Sequence, residues 1–139
     1  MRHSVTIIKE TKKKLYLISN EPIAKECTFA KAVKAVKAFK QTLISEGYPV
    51  LDVFIPNEFE IFGSWIYGEN SKTTYKPFKF FRTRENRQKY LSECWLCSYY
   101  YFGCSDAKCF VASDGYTDYM SANNLANVNP IIILDKTKH

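Results

Sequence analysis

Four cysteines in the last third of this 139-residue chain, Cys94-x2-Cys97-x6-Cys104-x4-Cys109, are its sharpest local cluster of chemically capable side chains. Two closely spaced pairs can offer four thiolates to zinc, and such a site would tie down a Cys-containing C-terminal subregion. The spacing between the pairs sets a condition. If Cys97 to Cys104 ran as one straight strand, its ends would lie roughly 23 Å apart with side chains on opposite faces. One tetrahedral site therefore needs the run Tyr99-Tyr100-Tyr101-Phe102 to fold back, at about Gly103. The competing reading is of reduced thiols that serve as small, polarizable core residues. A fifth cysteine, Cys27, makes the count odd, and with no export signal at Met1-Arg2-His3 a disulfide framework is not expected.

The second cluster is basic and aromatic. Residues 76–90, Lys-Pro-Phe-Lys-Phe-Phe-Arg-Thr-Arg-Glu-Asn-Arg-Gln-Lys-Tyr, hold six cations, one acid and four aromatic rings. Lysine and arginine neutralise phosphates and rings stack on unpaired bases, so Lys76, Lys79, Arg82, Arg84, Arg87 and Lys89 are candidate nucleic-acid contacts. Lys31, Lys34 and Lys37 form a second set, and Lys12-Lys13-Lys14 a third run that would join the patch if the fold brings it near. The plain alternative is a solvated basic face whose aromatics are packing.

Enzymatic constellations are poorly represented. The two histidines stand at His3 and His139, away from the middle of the fold, and Cys27 has no histidine near it to lower its pKa. Asp52, Glu58 and Glu60 are the carboxylates that would point to a metal-dependent nuclease, but Glu58 and Glu60 read as the solvent-facing side of a strand whose other side is Phe59 and Ile61. No glycine belongs to a G-x-G-x-x-G or G-x4-G-K-[ST] phosphate loop.

These residues must be positioned by a single compact domain covering 1–139, the size of one hydrophobic core. Hydrophobic residues make up 46% and charged residues 24%, which excludes a disordered or collagen-like chain. The longest aliphatic stretch, Ile131 to Leu134, is far too short for a transmembrane helix, so a soluble, cytoplasmic protein without a membrane partner is expected. Net charge is +6, unevenly spread: residues 1–90 hold 17 Lys/Arg against nine Asp/Glu, and residues 91–139 three against five. The basic part would draw in a polyanion or an acidic protein.

Period-two alternation predicts a hairpin over residues 4–19, a strand at Leu51–Ile55, another from Glu58 to Tyr67, and an extended edge segment from Lys72 to Phe81 containing Pro77. A turn is expected at Gly68–Ser71. Thr28 caps a helix running to Glu46, stopped by Gly47, with Phe29, Val33, Val36, Phe39 and Leu43 as its apolar stripe. A short helix follows at Thr83–Leu91. Strands are expected at Cys97–Phe102 and Cys109–Ala112, Asp114-Gly115 makes a hairpin turn, and a polar loop from Ser121 to Asn129 leads to a last strand, Pro130–Leu134. The fold class is α+β, a mainly antiparallel sheet with one principal amphipathic helix at about 28–46.

The expected function is that of a small non-enzymatic accessory or regulatory protein contacting nucleic acid or a nucleoprotein complex through its basic surface. The alternative is a protein-interaction module, an inhibitor or adaptor of the compact kind that viruses and mobile elements encode. It would use exposed aromatics, with Trp65, Trp95, Tyr99, Tyr100 and Tyr101 as anchors, because Trp and Tyr are enriched in binding hot spots.

Overall fold

The computed structural model describes residues 4–68, 75–100 and 104–138. It is an α+β domain, mainly antiparallel with one principal helix, as the sequence pattern predicts, and its strands form two sheets where one was expected. The hairpin of β1 (Val5–Glu10) and β2 (Lys14–Ser19) pairs through β2 with the last strand, β9 (Ile131–Asp135). β4 (Val50–Phe54) closes the order β1-β2-β9-β4, all antiparallel. The second sheet runs β3-β8-β5-β6-β7, formed by Ala24–Cys27, Ala126–Val128, Cys94–Tyr100, Cys104–Val111 and Thr117–Ser121. Its one parallel step is between β5 and β8. The hairpin turn falls where Asp114-Gly115 places it: the Gly115 N–H donates to the Ala112 carbonyl at 2.9 Å, with Gly115 at φ +86°.

The principal helix, α1 (Phe29–Ser45), begins and ends on the expected residues. Thr28 Oγ1 accepts from the Lys31 N–H, and Gly47 follows the end at φ +93°. Its apolar stripe meets a core made by Leu17, Val53, Trp95, Ala126, Val128 and Ile132. The other core holds Tyr16, Ile18, Leu96, Ile131 and Ile133, together with Ile61, Phe78, Phe81, Tyr90 and Leu91. Neighbours along β2, β9 and β5 thus divide between the two cores, so both faces of the sheets are covered. α1 lies on one side, and on the other lie α2 (Glu58–Phe62), a 3-10 helix (Lys79–Arg82) and α3 (Arg84–Leu91). This double burial explains why β2 and β9 read as continuous apolar runs.

Four local expectations are corrected. Glu58 to Tyr67 is not a strand. Residues 58–62 form α2, because Asn57 and Glu60 build a reciprocal capping box and Gly63, at φ +77°, ends the helix in the left-handed region. Glu58 and Glu60 are not a solvent-facing stripe; both are buried, at 0% and 3% exposure. The segment expected to be extended as far as Phe81 instead enters the 3-10 helix at Lys79, where Phe78 and Phe81 turn into the core; residues 72–74, like residues 69–71 of the expected turn, lie outside the described part. The polar loop 121–129 contains β8, and β3 precedes α1 where no strand was expected.

Candidate functional site

The basic segment is held by its own aromatic residues. Phe78, Phe81 and Tyr90 are buried and Phe80 is half-buried, with Phe80 against the rings of Phe81 and Tyr90 at 5.1 and 5.4 Å. What remains outside is cationic: Lys76, Lys79, Arg82, Arg84 and Lys89 are all exposed, with Glu85 the one acid among them. Arg84 lies over the exposed ring of Tyr116, its guanidinium carbon 5.4 Å from the centroid.

Arg87 is different from its neighbours. It is 8% exposed, and its guanidinium donates to the carbonyls of Gly115 at 2.7 Å, Phe81 at 2.8 Å and Arg82 at 3.1 Å while lying 4.7 Å from the Phe62 ring centroid. Desolvation by burial pulls its pKa below the usual arginine value. Arg87 therefore ties α3 to the β6–β7 turn and is not part of the exposed cationic surface. Lys31, Lys34 and Lys37 are exposed on α1, across the sheets from the 76–89 segment, so the two sets do not make one patch. Lys12, Lys13 and Lys14 are exposed at the β1–β2 tip.

A second feature was not legible as a site. The Glu58 carboxylate accepts from three consecutive backbone N–H groups, Ile66 at 2.6 Å, Tyr67 at 3.1 Å and Gly68 at 2.8 Å, and from the Thr117 hydroxyl at 2.5 Å. Every partner is a donor, the arrangement a carboxylate accepts best. Gly68 packs closely here: a Cβ would stand 3.0 Å from Glu58 Oε1 and from Trp65 Cε3 and 3.1 Å from the Ser98 Cβ, so a neighbour would have to shift to admit one. The loop fixed in this way turns Ile66 and Tyr67 outward, at 50% and 38% exposure. Trp65 is half-buried and stacked on Phe59 at 5.7 Å, and the Tyr67 ring contacts that of Tyr119 at 5.3 Å.

Trp95, expected as an interface anchor, is interior at 1% exposure. Its indole N–H donates to the Cys27 carbonyl at 2.8 Å and its ring packs edge-on against Phe29. The side chains of Tyr99 and Tyr100 and all of Tyr101 lie outside the described residues.

The chain does reverse between Tyr100 and Cys104, which are register partners in the β5–β6 pair. The thiols nevertheless separate. Cys94 and Cys109 are buried in the core on the α2–α3 side, whereas Cys97 is exposed and lines a groove of about 230 Å³ with Phe29, Val33 and Val36 of α1. Desolvation raises the pKa of all three, that of Cys109 to about 12. The Cys104 side chain is outside the described part, and among the described residues no three His, Cys, Asp or Glu side chains gather as metal ligands.

The third carboxylate group is structural in its contacts. Glu60 accepts from the Asn57 N–H at 2.8 Å, and burial, with the Asp52 charge adding to it, raises its pKa to about 7. Asp52 in turn accepts the Tyr75 hydroxyl at 2.7 Å. Among the described residues no helix is long and apolar enough to cross a membrane. Comparison with protein-family models, with curated proteins and with solved structures finds no match.

Proposed function

We propose that this protein is a non-enzymatic accessory or regulatory protein that contacts nucleic acid, alone or in a nucleoprotein complex, through Lys76, Lys79, Arg82, Arg84 and Lys89. One observation carries the reading: within a single segment five of the six cations face solvent, Arg87 being the buried exception, while Phe78, Phe81 and Tyr90 face the core. A surface with charge and few free rings suits the phosphate backbone better than stacking on single-stranded bases. Duplex nucleic acid is the favoured ligand on that ground, with little dependence on sequence. Fluorescence polarisation with labelled duplex and single-stranded DNA and RNA, across a salt series, tests it. The reading requires duplex binding that weakens steeply with salt; no binding at low salt ends it.

A protein partner is the second reading, favoured by the loop that Glu58 fixes. Holding Trp65, Ile66 and Tyr67 in one conformation before any encounter reduces the ordering cost of binding, and aromatic side chains there supply contact area. A stoichiometric protein partner that survives nuclease and moderate salt, and is lost with Ile66→Asp together with Tyr67→Ala, would favour it over nucleic acid.

A further inference from the structure

Three tyrosines are exposed among the described residues, Tyr67, Tyr116 and Tyr119. Tyr67 and Tyr119 face each other, with ring centroids 5.3 Å apart. Tyr116 instead lies against arginines of the basic segment. The guanidinium carbons of Arg84 and Arg87 are 5.4 and 5.9 Å from its ring centroid, and Arg84 Nη1 reaches its hydroxyl at 3.5 Å. Tyr116 nevertheless stays 50% exposed, so a ring already in contact with cations keeps a free surface.

The backbone fixes the residue that carries this ring. Tyr116 follows the Asp114-Gly115 turn, where its N–H donates to Asp114 Oδ1 at 3.0 Å and its carbonyl accepts from the Ala112 N–H at 2.7 Å. The Gly115 carbonyl accepts from Arg87 Nε at 2.7 Å, which clamps the turn onto α3. Glycine permits that close approach: at φ +86°, a Cβ would stand 2.7 Å from Arg84 Cγ, 2.8 Å from Gln88 Cγ and 3.0 Å from the Arg84 carbonyl oxygen. A ring placed in this way before any encounter gives up little freedom on binding.

Charge around the ring separates two kinds of contact. Arg84 belongs to the cationic surface that draws in phosphates, whereas Asp114 and Asp118, the exposed acids on either side of Tyr116 in sequence, repel them. The ring therefore stands at the border of a phosphate-binding surface without being a phosphate site itself. Beside a nucleic-acid backbone, the group that a neutral ring takes is the face of a base. A base stacked inside a duplex has no face to offer, and an unpaired one does.

We propose that Tyr116 stacks on an unpaired base next to a duplex while Lys79, Arg82, Arg84 and Lys89 hold the adjoining phosphates. The inference rests on the nucleic-acid reading above, and it narrows the ligand from duplex in general to a duplex with a single-stranded extension.

The test is fluorescence polarisation of the full chain with three forms of one duplex, made both as DNA and as RNA: blunt, with a short pyrimidine overhang, and with an abasic overhang of the same length, which keeps the phosphates and removes the bases. The parent should bind the pyrimidine overhang about fivefold or more tightly than the abasic one. Tyr116→Ala should abolish that difference, and Tyr116→Phe, which keeps the ring, should preserve it. Equal affinity for the two overhangs in the parent, or a difference that survives Tyr116→Ala, overturns the inference, while salt-dependent binding of all three forms would leave the duplex reading standing. No binding of any form ends both. Should Tyr116→Ala fail to fold, photo-crosslinking of the parent to 5-iodouracil at the unpaired position decides: a crosslink mapped to Tyr116 by mass spectrometry supports the inference, and none at Tyr116 overturns it.

Discussion

The Glu58 carboxylate and the Thr117 hydroxyl, 59 residues apart in sequence, meet at 2.5 Å in the interior, joining the first turn of α2 to the start of β7. The same carboxylate fixes the Trp65–Gly68 loop, so one side chain couples a helix, a strand and an exposed loop. Replacing it should disturb all three. Glu58→Gln turns one acceptor oxygen into a donor facing donors, and a buried polar group left without its partner costs about 1–3 kcal/mol. Urea denaturation should show a loss of about 2 kcal/mol, and amide exchange at Ile66 and Gly68 should accelerate more than exchange in β2 or β9. A loss below about 0.5 kcal/mol would contradict the role.

Arg87 and its exposed neighbours should separate cleanly by stability. Arg87→Ala removes three hydrogen bonds to carbonyls and leaves buried acceptors unpaired, so a loss of about 3 kcal/mol is expected. Arg87→Lys should recover only part of it, because an ammonium cannot reproduce the planar fork. Lys79→Ala and Lys89→Ala should change stability by less than about 0.5 kcal/mol. Thermal or urea unfolding of the four variants decides it.

Glu60 gives the fold a pH dependence. Its pKa is about 7 in the folded protein against 4.5 for a free glutamate, so the native state binds the proton more tightly. Between those two values stability falls as pH rises, and the contribution is fully present only below about pH 4.5. Glu60→Gln keeps an acceptor for the Asn57 N–H and removes the titration. The difference in unfolding free energy between pH 5 and pH 8 should be smaller in that variant than in the parent, and an equal difference would show that other groups carry it.

Thiol chemistry should follow burial. A water-soluble alkylating reagent applied to the native, reduced protein should modify Cys97 before Cys94 and Cys109, whose burial removes access and raises the pKa. Peptide mapping by mass spectrometry reads the order, and early modification of Cys94 or Cys109 would contradict the placement.

Where the sequence carried local signals, the fold was legible. Thr28, the Phe29–Leu43 stripe and Gly47 delimit α1, and Asp114-Gly115 sets the β6–β7 turn, because caps and tight turns depend on the residues at hand. The stretch from Glu58 to Phe62 was misread because its alternating apolar residues fit a strand. Asn57-x-x-Glu60 was the available signal for a helix start, and it prevails since it satisfies backbone donors that a strand would leave for another chain to pair. The burial of Glu58 had no local signal: three of its donors are loop backbone and the fourth is Thr117. Arg87 likewise sits among arginines that face solvent, and only the arrival of the Gly115 carbonyl sets it apart.

The proposed contact with nucleic acid is tested most directly by reversing its charge. Lys76→Glu, Lys79→Glu, Arg82→Glu and Lys89→Glu all replace exposed side chains, of which Lys89 gives up a contact over the Tyr90 ring, so the variant should keep the parent's fold and spectrum. Fluorescence polarisation with one duplex from about 50 to 200 mM salt should show the parent's affinity falling steeply. The four-site variant should bind at least a hundredfold more weakly, with a salt slope shallower by about 3. Equal affinity and equal slope in the two proteins would contradict the account.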